Sequence, residues 1–154
     1  MNRRRFDSLA TLLRVRKRQE ELKAQALAQA RRDVRTAIEQ RDGIEAYQRR
    51  MLERAGEMLQ GDFDASAVRQ FYQHERHLSR LAAERDIAIR QLERVAEKRR
   101  GELEDALKSR RMVEQLETRA QIRYRDFRNQ QEQKQNDEIA SSRAARIGEN
   151  GTVP

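Results

Sequence analysis

The chain has 154 residues, with 34 Lys+Arg against 26 Asp+Glu, a formal net charge of +8 and a pI near 10.5. Only 36% is hydrophobic and 39% is charged, at a mean hydropathy of -1.11. A globular domain has about 45–50% apolar and about 25% charged residues, so a single rounded globule is excluded. Pro occurs once, at Pro154, and helix formers dominate, which argues against disorder and for long helices or a coiled coil. Cys is absent, which removes disulfides, thiol chemistry and Cys-ligated zinc.

The chain starts MNRRRFDSLATLLRVRKR, basic like a signal peptide but without its unbroken apolar stretch or small-residue cleavage site. No run approaches the roughly 18 apolar residues of a membrane span. These features predict a soluble, unprocessed, cytoplasmic protein.

From Phe6 the apolar residues follow a seven-residue repeat. With Phe6 at position a, the a series is Phe6, Leu13, Glu20, Leu27, Val34, Arg41, Gln48 and Ala55; the d series is Leu9, Arg16, Lys23, Ala30, Ala37, Ile44, Met51 and Met58. Ala10, Ala24, Ile38, Leu52 and Leu59 widen the stripe at e. This predicts a helix over about 4–60, which at about 1.5 Å per residue is a rod of about 80 Å. Charged seam residues Arg16, Glu20, Lys23 and Arg41 have two readings: long side chains snorkelling out of a narrow interface, or a seam weakened for bending or for a third element. Gly43, Gly56 and Gly101 point towards the weakened seam, since each costs about 1 kcal/mol relative to Ala.

The repeat breaks at Gly61-Asp62-Phe63-Asp64-Ala65-Ser66. Gly61 suits the left-handed residue after a helix, and Asp62, Asp64 and Ser66 are each suited to cap the next one. The turn is predicted at 61–65.

The heptad then resumes, with Phe71, Leu78, Arg85, Leu92, Arg99, Ala106, Val113, Ala120 and Phe127 at a. Position d holds His74, Leu81, Ala88, Val95, Glu102, Ser109 and Leu116. A second helix is predicted over about 66–146, followed by a disordered tail over 148–154. The short link makes the helices antiparallel neighbours. The predicted fold is therefore all-α: one long antiparallel two-helix coiled-coil hairpin over 1–147, with residue i opposite about 126 minus i and an overhanging C-terminal helix end.

Residues 1–18 carry a net +6 and 119–146 a net +3, whereas 19–60 and 61–118 are each balanced. The excess charge thus maps to the terminal end of the predicted hairpin, where it would attract an acidic partner. Nucleic acid is not expected, because aromatic residues are sparse there (Phe6, Tyr124, Phe127) and no nucleic-acid-reading motif is present. A lipid surface would call for a bulkier apolar face. A solvated charge run without a partner is the remaining reading.

No phosphate loop, nucleophile elbow or HExxH motif occurs. His74 and His77 are spaced i, i+3, but they lack further ligands and flank Arg76, so no metal is expected. No cofactor is expected either. Carboxylates on wet helix faces do not build an acid–base site, and the chain is read as a non-enzyme.

Phe6-x-x-Leu9-x-x-x-Leu13-x-x-x-Lys17, the Ala/Leu/Gln/Glu shaft, Lys108-x-x-x-x-Val113-Glu114-x-Leu116 and Glu132-Gln133-Lys134-x-x-Asp137-Glu138-Ile139-Ala140 resemble the flagellar export protein FliJ family over nearly the whole chain. Stalk proteins of injectisome-type secretion are the nearest confusable relatives, and a generic structural or adaptor coiled coil binding an acidic partner is the alternative outside secretion.

The resemblance implies a cytoplasmic stalk of a type III export apparatus, built like the central stalk of rotary ATP synthases and peripherally associated with the inner membrane at the flagellar base. It implies that the terminal end engages the hexameric export ATPase FliI. The tip-proximal half would contact the cytoplasmic domain of the export-gate protein FlhA, with export chaperones as further partners. The ATPase-binding candidates on the basic end are Arg4, Arg5, Phe6, Leu9, Leu13, Arg14, Arg16, Lys17, Arg18, Arg123 and Phe127. The gate-binding candidates are Gln40, Ile44, Tyr47, Met51, Phe71, His74, Leu78 and Leu81; Ile44-x-x-Tyr47-Gln48 resembles the family's gate-binding region, and either Phe71 or Tyr72 matches its aromatic. Ile44, Met51, Leu78 and Leu81 have a second reading as plain seam residues, and so does Tyr47 despite lying off the seam.

Overall fold

The computed structural model describes the backbone of residues 3–61 and 64–150 and the side chains of 7–61 and 64–148. It contains two helices, α1 (Arg3–Met58) and α2 (Ala65–Asn150), and no strand among the described residues. The chain divides into two compact units, Gln19–Leu107 and a second formed by Met1–Arg18 with Lys108–Pro154.

The Gln19–Leu107 unit is an antiparallel hairpin. Lys23 meets Glu102, Arg41 meets Asp86 and Gln48 meets Ser79, so paired residue numbers add to 125, 127 and 127, the alignment expected from a fold about residue 63. Leu27, Ala30, Ala37, Leu78 and Ile89 form its buried core. All described a and d positions of α1 from Leu9 to Ala55 are at least half-buried, while Met58, the last d residue, is 65% exposed.

On α2 the inward stripe departs from expectation. Val95 and Leu116, at d, are exposed, whereas Ile89, off the expected seam, is buried. Glu75, Ala82, Ile89, Ala96, Leu103, Arg110 and Glu117, all one position after d, are inward or half-buried. The cause lies in the breadth of apolar character on α2: Ile89, Ala96 and Leu103 at e compete with Leu81, Ala88 and Val95 at d. Both stripes satisfy a 3–4 spacing, and packing against α1 selects the centre.

The seam charges do not simply snorkel. Lys23 Nζ lies 3.1 Å from Glu102 Oε2, which also accepts from Arg99 Nη1 at 3.0 Å. Arg41 donates from Nη1 to Asp86 at 3.2 Å and from Nη2 to Asp42 at 2.8 Å. Hydrogen bonds from Arg99 and then Lys23 hold the Glu102 carboxyl below its ordinary range; those to Asp42 and Asp86 raise Arg41 above its own. Gly43, Gly56 and Gly101 are exposed and have open space where a Cβ would stand, so they create no close approach in the seam.

α1 ends by tightening. Leu59 N–H still reaches the Ala55 carbonyl, but Gln60 and Gly61 donate three residues back, to Glu57 and Met58. Gly61 does not adopt the expected left-handed conformation, since the shortened bonds already use those carbonyls. Of the three candidate caps, Asp64 serves: its side chain accepts from Ser66 N–H at 3.0 Å and its carbonyl from Val68 N–H at 3.2 Å. Asp62 and Phe63 lie outside the described residues.

Among the described residues of the second unit, Val113 and Ala120 of α2 are buried, and Leu9, Leu13 and Arg16 of α1 are half-buried. From Gln121 to Gly148 every residue is exposed, in keeping with an overhanging helix end. The helix runs through Gly148 to Asn150, where a tail was expected. No described helix is long and apolar enough to cross a membrane.

Candidate functional site

Two candidate surfaces result, each contained in one unit. The unit of Met1–Arg18 and Lys108–Pro154 holds 17 of the 34 Lys+Arg and only 8 of the 26 Asp+Glu, a net +9. The Gln19–Leu107 unit holds the other 17 basic and 18 acidic residues, a net -1. The charge separation read from the sequence is thus a separation between compact units.

Within the basic unit, Arg14, Lys17, Arg18 and Arg123 are exposed, and Phe127 is 49% exposed. Arg123 Nε donates to its own helix at the Arg119 carbonyl, 3.3 Å away. Leu9, Leu13 and Arg16 are half-buried in the a/d stripe of α1, so they support the surface more than they present it. The side chains of Arg4, Arg5 and Phe6 lie outside the described residues. On exposed α2, Arg128 pairs with Glu132 at 2.9 Å, and that hydrogen bond raises the Arg128 pKa. Tyr124, 41% exposed, joins Phe127 where the inward stripe of α2 would continue.

Within the other unit, Tyr47 of α1 and His74 of α2 meet edge to face, ring centroids 6.0 Å apart at 88°. Tyr47 is 44% exposed, and Gln40 and His74 are exposed beside half-buried Ile44, Met51 and Leu81. Leu78 does not belong to an accessible surface: at 7% exposure it is core, occupying the a position that directs it inward. Phe71 and Tyr72, either of which matches the family's aromatic, differ in exposure. Phe71 is half-buried, Tyr72 stands out to solvent, and their rings are 5.7 Å apart.

Sequence reasoning missed an apolar cleft of about 390 Å³ beside the turn, lined mainly by Ala55, Met58, Leu59, Val68, Phe71 and Tyr72. Its signal was present in Met58-Leu59 and Phe71-Tyr72, two bulky pairs flanking the heptad break. Among the described residues no group of three His, Asp or Glu is gathered in metal-binding geometry.

The model of the family described as "Flagellar FliJ protein" matches residues 5–149. The chain belongs to the FliJ family. Membership implies a flagellar export component, of a family known as structural and not as enzymes. Searches of curated proteins and of solved structures each return no significant match. The match reaches into both units and includes every candidate residue except Arg4.

Proposed function

We propose that this FliJ-family chain is a non-enzymatic coupling stalk of the flagellar type III export apparatus, joining the hexameric export ATPase FliI to the cytoplasmic domain of the export gate FlhA. The observation that carries the reading is the partition of the two surfaces: the basic candidates fall in a unit of net +9 and the aromatic ones in a unit of net -1. A family of flagellar export components supplies the setting.

The division gives each partner its own physics. Arg14, Lys17, Arg18 and Arg123 would attract an acidic face of the ATPase ring through a field that salt screens within about 8 Å at physiological ionic strength. Tyr47 and His74, with Gln40 about two turns before Tyr47 on α1, would bind the gate through aromatic and apolar contact, which salt screens little. Residues of both surfaces lie on α1 and α2. The stalk works from the cytoplasmic side of the flagellar base, held at the membrane by its partners.

The test is a pull-down of the full chain with the ATPase and with the gate's cytoplasmic domain at low and high salt. The expected result is ATPase capture that falls steeply with salt and gate capture that changes little. Capture of neither protein at either concentration overturns the reading.

A further inference from the structure

We infer that Lys23 and Arg41 are register pins: within the Gln19–Leu107 unit they select the one alignment of α1 against α2 in which both cations meet a carboxylate of α2, and thereby bring Tyr47 and His74 together.

At its alanine layers the apolar seam selects alignment weakly. Under the observed pairing Ala37 lies opposite Ile89, and both are buried. Sliding α2 by one heptad would place Ala82 or Ala96 opposite Ala37, apolar on apolar again. Ala30, opposite Ala96, would meet Ile89 or Leu103. A repeat of seven tolerates a slip of seven, and small Ala side chains offer few steric objections.

The charged positions break that degeneracy. Lys23 reaches Glu102 at 3.1 Å and Arg41 reaches Asp86 at 3.2 Å across the helix pair. One heptad of slip in one direction puts Ser109 in place of Glu102 and Glu93 in place of Asp86; the other direction puts Val95 and Ser79 there. At these facing positions only the native alignment offers both cations a carboxylate across the helix pair; Arg41 keeps Asp42 on its own helix in every alignment. The pins lie about 27 Å apart along α1, so neither substitutes for the other. A polar group in a seam is the best-attested way for a coiled coil to fix its register at a cost in stability.

The consequence reaches the aromatic surface. Tyr47 and His74 sit on different helices with ring centroids 6.0 Å apart, and a heptad of slip moves one helix about 10 Å past the other. The pair exists in the native register and in neither slipped one.

Because the chain contains no cysteine, the register can be read by intramolecular disulfide formation. Three double substitutions are compared: Ala37→Cys with Ile89→Cys for the native alignment, and Ala37→Cys with Ala82→Cys or with Ala96→Cys for the slipped ones. In the parent background the native pair is expected to cross-link about tenfold over either slipped pair. With Lys23→Leu and Arg41→Leu added, that preference should fall to about threefold or less while helical ellipticity is kept. Adding Asp64→Ala instead should leave the native preference intact. Retained preference in the double-Leu background overturns the proposal. So does lost ellipticity there, which would make the pairs props of stability, and so does lost preference with Asp64→Ala alone, which would assign register to the turn.

Discussion

The Gln19–Leu107 unit and the unit of Met1–Arg18 with Lys108–Pro154 use one kind of secondary structure in two ways. Of the seven described residues that are buried, the first contains five, Leu27, Ala30, Ala37, Leu78 and Ile89, and its charges nearly cancel. The second contains the other two, Val113 and Ala120, carries a net +9, and includes a stretch of α2 from Gln121 to Gly148 with every residue exposed. A helix face that finds a partner helix is stabilised by burial and tolerates near-neutral charge. A helix without one rests on propensity and on i, i+4 pairs such as Arg128–Glu132, and its surface stays exposed.

That contrast can be broken from either side. Leu78→Ala removes a core side chain from the neutral unit and should cost about 2–4 kcal/mol in urea unfolding; a cost near zero would deny that this unit carries the stability. Reversing Arg14, Lys17 and Arg18 to Glu changes the basic unit's charge by six and should weaken ATPase binding about 100-fold at low salt with ellipticity unchanged. Arg16 is spared because it is half-buried in the stripe of α1. Binding unaffected by the reversal would leave the basic unit without its proposed role.

Smaller effects sharpen the comparison. Tyr47→Ala should lower gate binding about tenfold and leave ATPase binding as it was, because Tyr47 is exposed and lies in the other unit; equal loss of both would indicate misfolding. Gly101→Ala, exposed and with open space at the new Cβ, should stabilise α2 by about 0.5–1 kcal/mol in thermal unfolding. The smallest effect is acidic. Glu102 has a folded pKa below its unfolded value, so its contribution is present above the unfolded pKa and lost as pH falls through the folded one. Glu102→Gln should therefore flatten the fall of stability with acid slightly, as read from unfolding midpoints across that range.

Much of this was legible in the residues. The heptad from Leu9 to Ala55 named the inward face of α1 position by position, and the antiparallel pairing followed from one turn signal at Gly61–Asp64. α2 was less legible, because Ile89, Ala96 and Leu103 compete with Leu81, Ala88 and Val95 for the same side of the helix. The candidate surfaces were legible in kind, as basic and aromatic groups. Their members were only partly so: Leu78 is core, as its seam reading had it, whereas the choice between Phe71 and Tyr72 as the outward ring and the cleft of Met58, Leu59 and Tyr72 needed the packed helices.

The sequence by itself determined that the chain is helical, where it turns, and that its positive charge gathers at residues 1–18 and 119–146. Those properties are local, set by composition, spacing and a capping residue. Only the tertiary structure decided which stripe of α2 faces α1, that Asp64 is the cap, and that Lys23 and Arg41 find Glu102 and Asp86 instead of water. A periodic pattern fixes that a helix has an inward side, whereas contact between two helices fixes which residues share it.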